Sequence, residues 1–205
     1  MNDALPIAVL VSGSGTNLQA ILDAAAAPGF AASVVAVISD RPDALALDRA
    51  RSAGVSVETV PWPGAAHRSE FTDDLCGAAE ALGAKAMVLA GFMRILSPGA
   101  MRRFPNAILN IHPALLPAFP GAHAVEDALA RGVKVTGVTV HIVDEEVDHG
   151  PILHQEAVPV HPGDTADSLH ERIQQVEHRM YPEVIDAFAR GVITIDGSKA
   201  TWARA

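Results

Sequence analysis

An amide and an imidazole stand two residues apart where an apolar run ends: Asn110 and His112 follow Ala107-Ile108-Leu109 and lead into Pro113-Ala114-Leu115-Leu116-Pro117. The run predicts a buried strand, and in a strand residues i and i+2 share a face. Both side chains would then project together from one strand end. Pro113 has no N–H to give the ladder and stops it. A proline-rich loop continues to Pro120-Gly121-Ala122-His123. An amide donor beside an imidazole suits a site that holds a carbonyl oxygen while a proton moves. Spacing alone favours a plainer alternative, in which Asn110 caps a turn and His112 is a hydrogen-bonded core histidine.

A second group has the chemistry of an anion cradle. Ser12-Gly13-Ser14-Gly15-Thr16-Asn17 follows the apolar run Ile7–Val11, and Leu18, Ile21 and Leu22 recur behind it at helical spacing. A glycine loop between strand and helix brings free N–H groups and the positive end of the helix dipole to one point. The loop lacks the Lys of a Walker loop, and Leu18 stands where a dinucleotide fingerprint needs its third Gly. It is read as a monophosphate site with Ser14, Thr16 and Asn17 as added donors. The alternative is an ordinary strand-to-helix turn with Thr16 as N-cap.

Weaker signals accompany these two. Gly91-Phe92-Met93-Arg94-Ile95-Leu96 follows the apolar strand Ala86–Ala90, at what would be the ligand edge of an open sheet. It could wall a slot for a flat ring, although plain core packing explains the same residues. Arg68 lies in the first turn of a helix spanning His67 to Leu82, where a cation opposes the dipole. That placement hints at a ligand carboxylate. Asp40, ending the second strand, is read as a turn residue. Asp144-Glu145-Glu146-Val147-Asp148-His149-Gly150-Pro151 has neither EF-hand nor His-x-x-His spacing. By itself it reads as a solvated acidic turn without metal.

Strands and helices must alternate to position these residues. Strands are expected at Pro6–Val11, Ser33–Ser39, Val55–Val60 and Ala86–Ala90. Helices are expected from Thr16, at Ala44–Ala53, His67–Leu82 and His123–Ala130, and from Thr165 to Arg190 with a kink at Pro182. The short connection between the strands Val133–Val143 and Ile152–Val160 predicts an antiparallel pair. Val192–Ile195 and Ser198–Trp202 read as a hairpin with an Asp196-Gly197 turn. The fold class is therefore α/β: a doubly wound, mostly parallel but mixed open sheet with helices on both faces. At 205 residues the chain is read as one domain.

Bulk properties exclude several functions. The formal charge is −9 and the only basic cluster is Arg102-Arg103, which disfavours a nucleic-acid partner. The single cysteine, Cys76, allows neither a disulfide framework nor a thiolate metal site. It fits a reducing, cytoplasmic setting. No stretch is long and apolar enough for a membrane span, and Met1–Pro6 lacks a signal peptide's basic start. A homodimer is compatible with the chain.

Four segments, VSGSGTNLQAIL, AGFMRILSP, ILNIHPALLPAFPGAHAVEDAL and VTGVTVHIVDEEVDHGPILHQEAVPV, together resemble the folate-dependent phosphoribosylglycinamide formyltransferases over about residues 6–195. The His-Pro-x-Leu-Leu-Pro core is shared by the wider 10-formyltetrahydrofolate-using superfamily; the glycine loop points to the glycinamide ribonucleotide branch. The resemblance implies a Rossmann-like formyltransferase fold. Its N-terminal half, about residues 1–105, would hold phosphate, and its C-terminal half, about 106–205, folate and catalysis. It implies small-molecule substrates: 10-formyltetrahydrofolate as co-substrate and glycinamide ribonucleotide as acceptor, with no metal. Asn110, His112 and Asp148 are implied as the catalytic three, Asp148 favouring the charged form of His112. Gly13, Ser14, Gly15, Thr16 and Asn17 would take the ribonucleotide phosphate, and Glu177 its sugar. Folate would lie against Met93, Arg94, Ile95, Leu96, Asn110 and Asp144, with Arg68 near its tail. Ala114 stands where the family commonly has Ser, and Asp148-His149-Gly150 replaces Asp-Gly-Gly, placing a titratable ring beside the catalytic acid.

Overall fold

The computed structural model describes residues 4–203, so Met1–Asp3, part of the stretch read for a signal, lie outside the described residues. Strands β1 (Leu5–Val11), β2 (Ala32–Ser39), β3 (Ser56–Thr59), β4 (Ala86–Leu89) and β5 (Ile108–His112) alternate with helices α1 (Thr16–Ala25), α2 (Leu45–Ser52), α3 (Arg68–Ala81) and α4 (Pro98–Arg103). After α5 (Ala124–Arg131) come β6 (Val135–Ile142), β7 (Ile152–Pro159), the long α6 (Ala166–Ala189), β8 (Ile193–Asp196) and β9 (Lys199–Trp202). One nine-stranded sheet results, in the order β3-β2-β1-β4-β5-β6-β7-β9-β8. The first five strands in this order are parallel, and β6 and β7 add antiparallel. The mixed, doubly wound sheet expected from the alternation is present.

Burial on both faces explains why the central strands are apolar without a break. Ile7, Val9 and Val11 face one way, into a core shared with Leu18 and Ile21 of α1 and Ile173, Met180 and Tyr181 of α6. Ala8 and Leu10 face the other way, against Phe71, Leu75 and Cys76 of α3. The order turns at β1, with β2 on one side and β4 on the other, so the loops after β1 and β4 flank a crevice. The Tyr181 hydroxyl donates to carbonyls of the neighbouring strands β4 and β5, Leu89 O at 2.9 Å and Leu109 O at 3.1 Å.

Several local expectations change. Gly15, at φ +74°, takes the position before α1, so Thr16 is its first residue and not its cap. The helix read from His67 is a 3-10 turn, Ala65–His67, followed by α3. Helix α6 starts where expected, at a capping box in which the Thr165 hydroxyl accepts from Ser168 N–H, and Pro182 lies inside it. The terminal hairpin pairs Asp196 with Lys199, so its turn is Gly197-Ser198, one residue later than read.

Candidate active site

Strand β5 presents Asn110 and His112 on one face, and the antiparallel neighbour β6 supplies the residues opposite them. Asn110 pairs with His141 and His112 with Thr139. Thr139 holds the proline-rich loop after β5: its hydroxyl donates to Ala114 O at 2.6 Å and accepts from Leu116 N–H at 3.1 Å. The loop returns so that Phe119 O lies 2.8 Å from His112 Nε2. The His112 ring is fixed from both ends, because Nδ1 faces Asp148 Oδ2 at 3.3 Å. Both ring nitrogens thus face oxygen atoms.

Asp148 comes from the acidic turn. It is not solvated, since its side chain is only 11% exposed. Its backbone is left-handed, at φ +52°. Gly150 closes the turn against β6: a Cβ there would lie 2.0 Å from Ile142 O, so no other residue fits. Asp148 Oδ2 accepts from Gly121 N–H at 2.7 Å, and Oδ1 lies 3.5 Å from Asn110 Nδ2. Burial works against the charge, but the His141 ring, the Gly121 N–H and the His112 ring outweigh it and hold the carboxyl below its usual range.

His141 is the residue that sequence reasoning missed. It is buried, with Nδ1 2.9 Å from Ile142 O and Nε2 3.1 Å from Asn110 Nδ2. Its Nδ1 faces a carbonyl oxygen, and its Nε2 stands between the Asn110 amide and the Asp148 carboxylate. His141 Nε2 stands 3.6 Å from Asp148, so the bond to Asn110 is the closer contact. Thr139 and His141 share a face of β6 by strand alternation; only the strand register sets them opposite Asn110 and His112.

These side chains floor a cavity of about 660 Å³. Gly91 to Leu96 forms one wall and the turn Val143 to Asp148 another, with Asp167 and His170 of α6 at the side. Phe92 and Leu96 are buried in the core, whereas Met93 and Ile95 are 64% and 54% exposed and present apolar surface at the cavity. Arg94 lines the cavity, but its Nε donates to the buried Asp40 at 2.6 Å. Asp40 sits at the bend after β2, as read, and is also an ion-pair partner. Asp144 lines the cavity and binds His149 Nδ1 at 2.8 Å. His149 therefore pairs with Asp144 and not with Asp148, as its neighbour position had suggested. Arg68 is exposed at the start of α3 and does not line the cavity.

The glycine loop lies beside this cavity, and hydrogen bonds join the two. Met93 N–H donates to Ser12 Oγ at 2.9 Å, and Ser12 N–H to Gly91 O at 3.2 Å. Gly13 and Ser14 are exposed, while Gly15 is buried against α2. Arg49 Nε donates to Ser14 O at 2.8 Å, which brings a cation to the loop that sequence reasoning did not single out. Asn17 Nδ2 donates to Glu177 Oε2 at 2.9 Å. Burial raises the Glu177 carboxyl above its usual range, against the Asn17 bond and nearby histidines that lower it. Among the described residues, no group of three or more His, Cys, Asp or Glu side chains is placed to hold a metal ion.

An open α/β sheet, a crevice at its switch point and an Asn–His–Asp corner behind a His-Pro motif define a class of group-transfer enzyme. The chain belongs to the formyl transferase family, whose model matches residues 5–185. It is 46% identical over 198 residues to phosphoribosylglycinamide formyltransferase of Mycobacterium tuberculosis, covering 97% of this chain and 91% of that one. Its structure superposes on glycinamide ribonucleotide transformylase 1 from Symbiobacterium toebii with a TM-score of 0.95 at 46% identity, covering 100% of this chain and 96% of that one. It is also 41% identical over 197 residues to the chicken trifunctional purine biosynthetic protein adenosine-3, matching 96% of this chain but only 20% of that protein's length.

Proposed function

We propose that this chain transfers the formyl group of 10-formyltetrahydrofolate to the amine of N1-(5-phosphoribosyl)glycinamide, giving the formylglycinamide ribonucleotide and tetrahydrofolate in purine synthesis. The observation that carries this reading is the meeting of Asn110, His112 and Asp148 at the floor of a part-apolar cavity joined by Ser12 to an anion loop. The folate supplies an electrophilic formyl carbon on N10, and the glycinamide amine is the nucleophile. A new C–N bond forms and the C–N10 bond breaks; the amine gives up a proton and N10 takes one.

Asn110 Nδ2 and His112 Nδ1 both point toward Asp148 at 3.5 and 3.3 Å, longer than the best charge-assisted bonds. Such slack lets the same N–H groups turn to a developing oxyanion in the cavity, and one such donor is worth about 3 kcal/mol of barrier. Phe119 O holds the far side of the His112 ring, and His141 contacts the Asn110 amide, so both donors stay at the cavity floor as they turn. Asp148 orients the His112 ring and is the acceptor for the proton leaving the amine, directly or through water.

The loop Gly13–Asn17 supplies backbone and side-chain donors for the phosphate, with Arg49 as the local cation that an otherwise acidic protein needs. Glu177, buried and held by Asn17, faces the sugar. Met93, Arg94, Ile95, Leu96 and the Asp144–Asp148 turn wall the folate ring, while Arg68, outside the cavity, lies toward the tail. A cytoplasmic setting, where the buried Cys76 stays reduced, accompanies this reading.

An absorbance assay for tetrahydrofolate, run with and without glycinamide ribonucleotide, tests the proposal. Product should form only when the ribonucleotide is present. Product without it would mean that water replaces the amine and the chain is a hydrolase; no product in either case would refute formyl transfer altogether.

A further inference from the structure

Asp40 directly follows β2, two strands away from the strand that carries the cavity wall, and the transfer mechanism makes no use of it. Its side chain is 0% exposed. One oxygen, Oδ2, accepts from Arg94 Nε at 2.6 Å; the other, Oδ1, is buried without a hydrogen-bond partner. A buried carboxylate with one donor is costly to keep. What it holds is the middle of the wall Gly91–Ser97. On either side of Arg94 the wall is already tied, Met93 N–H to Ser12 Oγ and Ser97 N–H to Thr72 Oγ1, both at 2.9 Å. Between these ties Arg94 makes the one ion pair, and its guanidinium lies 5.2 Å from the centre of the Trp62 ring. Trp62 in turn meets Phe71 edge-on at 4.8 Å, and Phe71 stacks on Phe92 of the wall. The wall is thus braced from behind by a carboxylate, a cation and three aromatic rings.

We propose that Asp40 is a positioning residue that fixes the cavity wall through Arg94 and so sets affinity for the ring-bearing substrate, without touching it. Asp40 also neutralises Arg94, so that this cation faces its buried partner and not the ligand. Identifying that ligand as formyl-folate rests on the proposed function; the bracing itself does not.

Two measurements test this, steady-state kinetics and equilibrium binding of tetrahydrofolate followed by Trp62 fluorescence in a Trp202→Phe background. Trp62 and Trp202 are the only tryptophans, so that background isolates the reporter. Asp40→Asn should raise KM for formyl-folate and Kd for tetrahydrofolate about tenfold, as loss of a hydrogen bond to a charged group does. It should leave kcat and KM for the ribonucleotide within about twofold. Arg94→Gln should give the same rise, and the double variant no more than either single one. Unchanged KM and Kd in a folded Asp40→Asn protein would overturn the proposal, as would a matching fall in kcat. Tighter binding would also overturn it, since Arg94 would then have been freed to grip the ligand. If Asp40→Asn does not fold, an unchanged KM in Arg94→Gln is equally fatal. Wild-type protein that neither turns over formyl-folate nor binds tetrahydrofolate would instead refute the proposed function.

Discussion

The glycine loop and the Asn–His–Asp corner are two ways of building a polar site. The loop is made of backbone: its donors are N–H groups at the start of α1, contiguous in sequence, and its geometry depends on one residue, Gly15. The corner is made of side chains: Asn110 and His112 come from β5, His141 from β6 and Asp148 from a turn beyond it. Its geometry depends on strand register and its strength on charge. Backbone N–H groups do not titrate, so shape is what breaks that part of the loop. A side-chain site can keep its shape and still lose its function when one charge is removed.

Removing a functional group from the corner should give the largest effect, and Asp148→Asn does so at constant shape. Asp148→Asn and His112→Ala should each lower kcat at least ~100-fold, with binding of both substrates largely kept. Near-normal turnover in both variants would show that the corner is not catalytic. The pH dependence follows the same logic. The folded carboxyl of Asp148 is held below its unfolded value, so its contribution to stability is present above the unfolded value and is lost as pH falls through the folded one. Wild type should therefore show an acid-destabilised limb in thermal melts that Asp148→Asn lacks.

Changing shape without charge should break the loop instead. At Gly15 an added Cβ would meet Ala46 Cβ at 2.6 Å, in a backbone conformation at φ +74° that side chains disfavour. Gly15→Ala should cost about 1–3 kcal/mol of stability by denaturant unfolding. It should raise KM for the ribonucleotide far more than it lowers kcat; the reverse pattern would mean the loop belongs to the chemistry.

Glu177 lies between the two designs, a buried titratable group bonded to the loop. Its carboxyl is raised by burial, so the folded protein holds the proton longer than the unfolded chain, and stability falls as pH rises from the unfolded value through the folded one. Glu177→Gln should melt higher than wild type, with the gap opening across that window, while the ribonucleotide binds more weakly. A constant gap at all pH values would deny the titration. The smallest effect is expected at His149, whose pair with Asp144 raises its ring above the ordinary histidine value. The pair's stabilisation is present below the unfolded value and fades as pH rises through the folded one. His149→Gly should leave kcat within about twofold, and an NMR titration of the wild-type ring should show the raised midpoint.

What the sequence determined was whatever depends on neighbours along the chain. The glycine loop, the alternation that makes a doubly wound sheet, and the shared face of Asn110 and His112 are set by local periodicity and by the conformations open to Gly and Pro. Motif resemblance also placed Asp148, which local reading had left in solvent. Tertiary structure decided the rest. His141 became a partner of Asn110 through antiparallel register across a separation of 31 residues, and nothing local encodes register. Asp40 became the counter-charge of Arg94 across 54 residues because two parallel strands end at the same edge. His149 turned to Asp144 because the turn that buries Asp148 points the next side chain outward. Which charges meet depends on where chain ends and turns lie in space, and only the packed sheet fixes that.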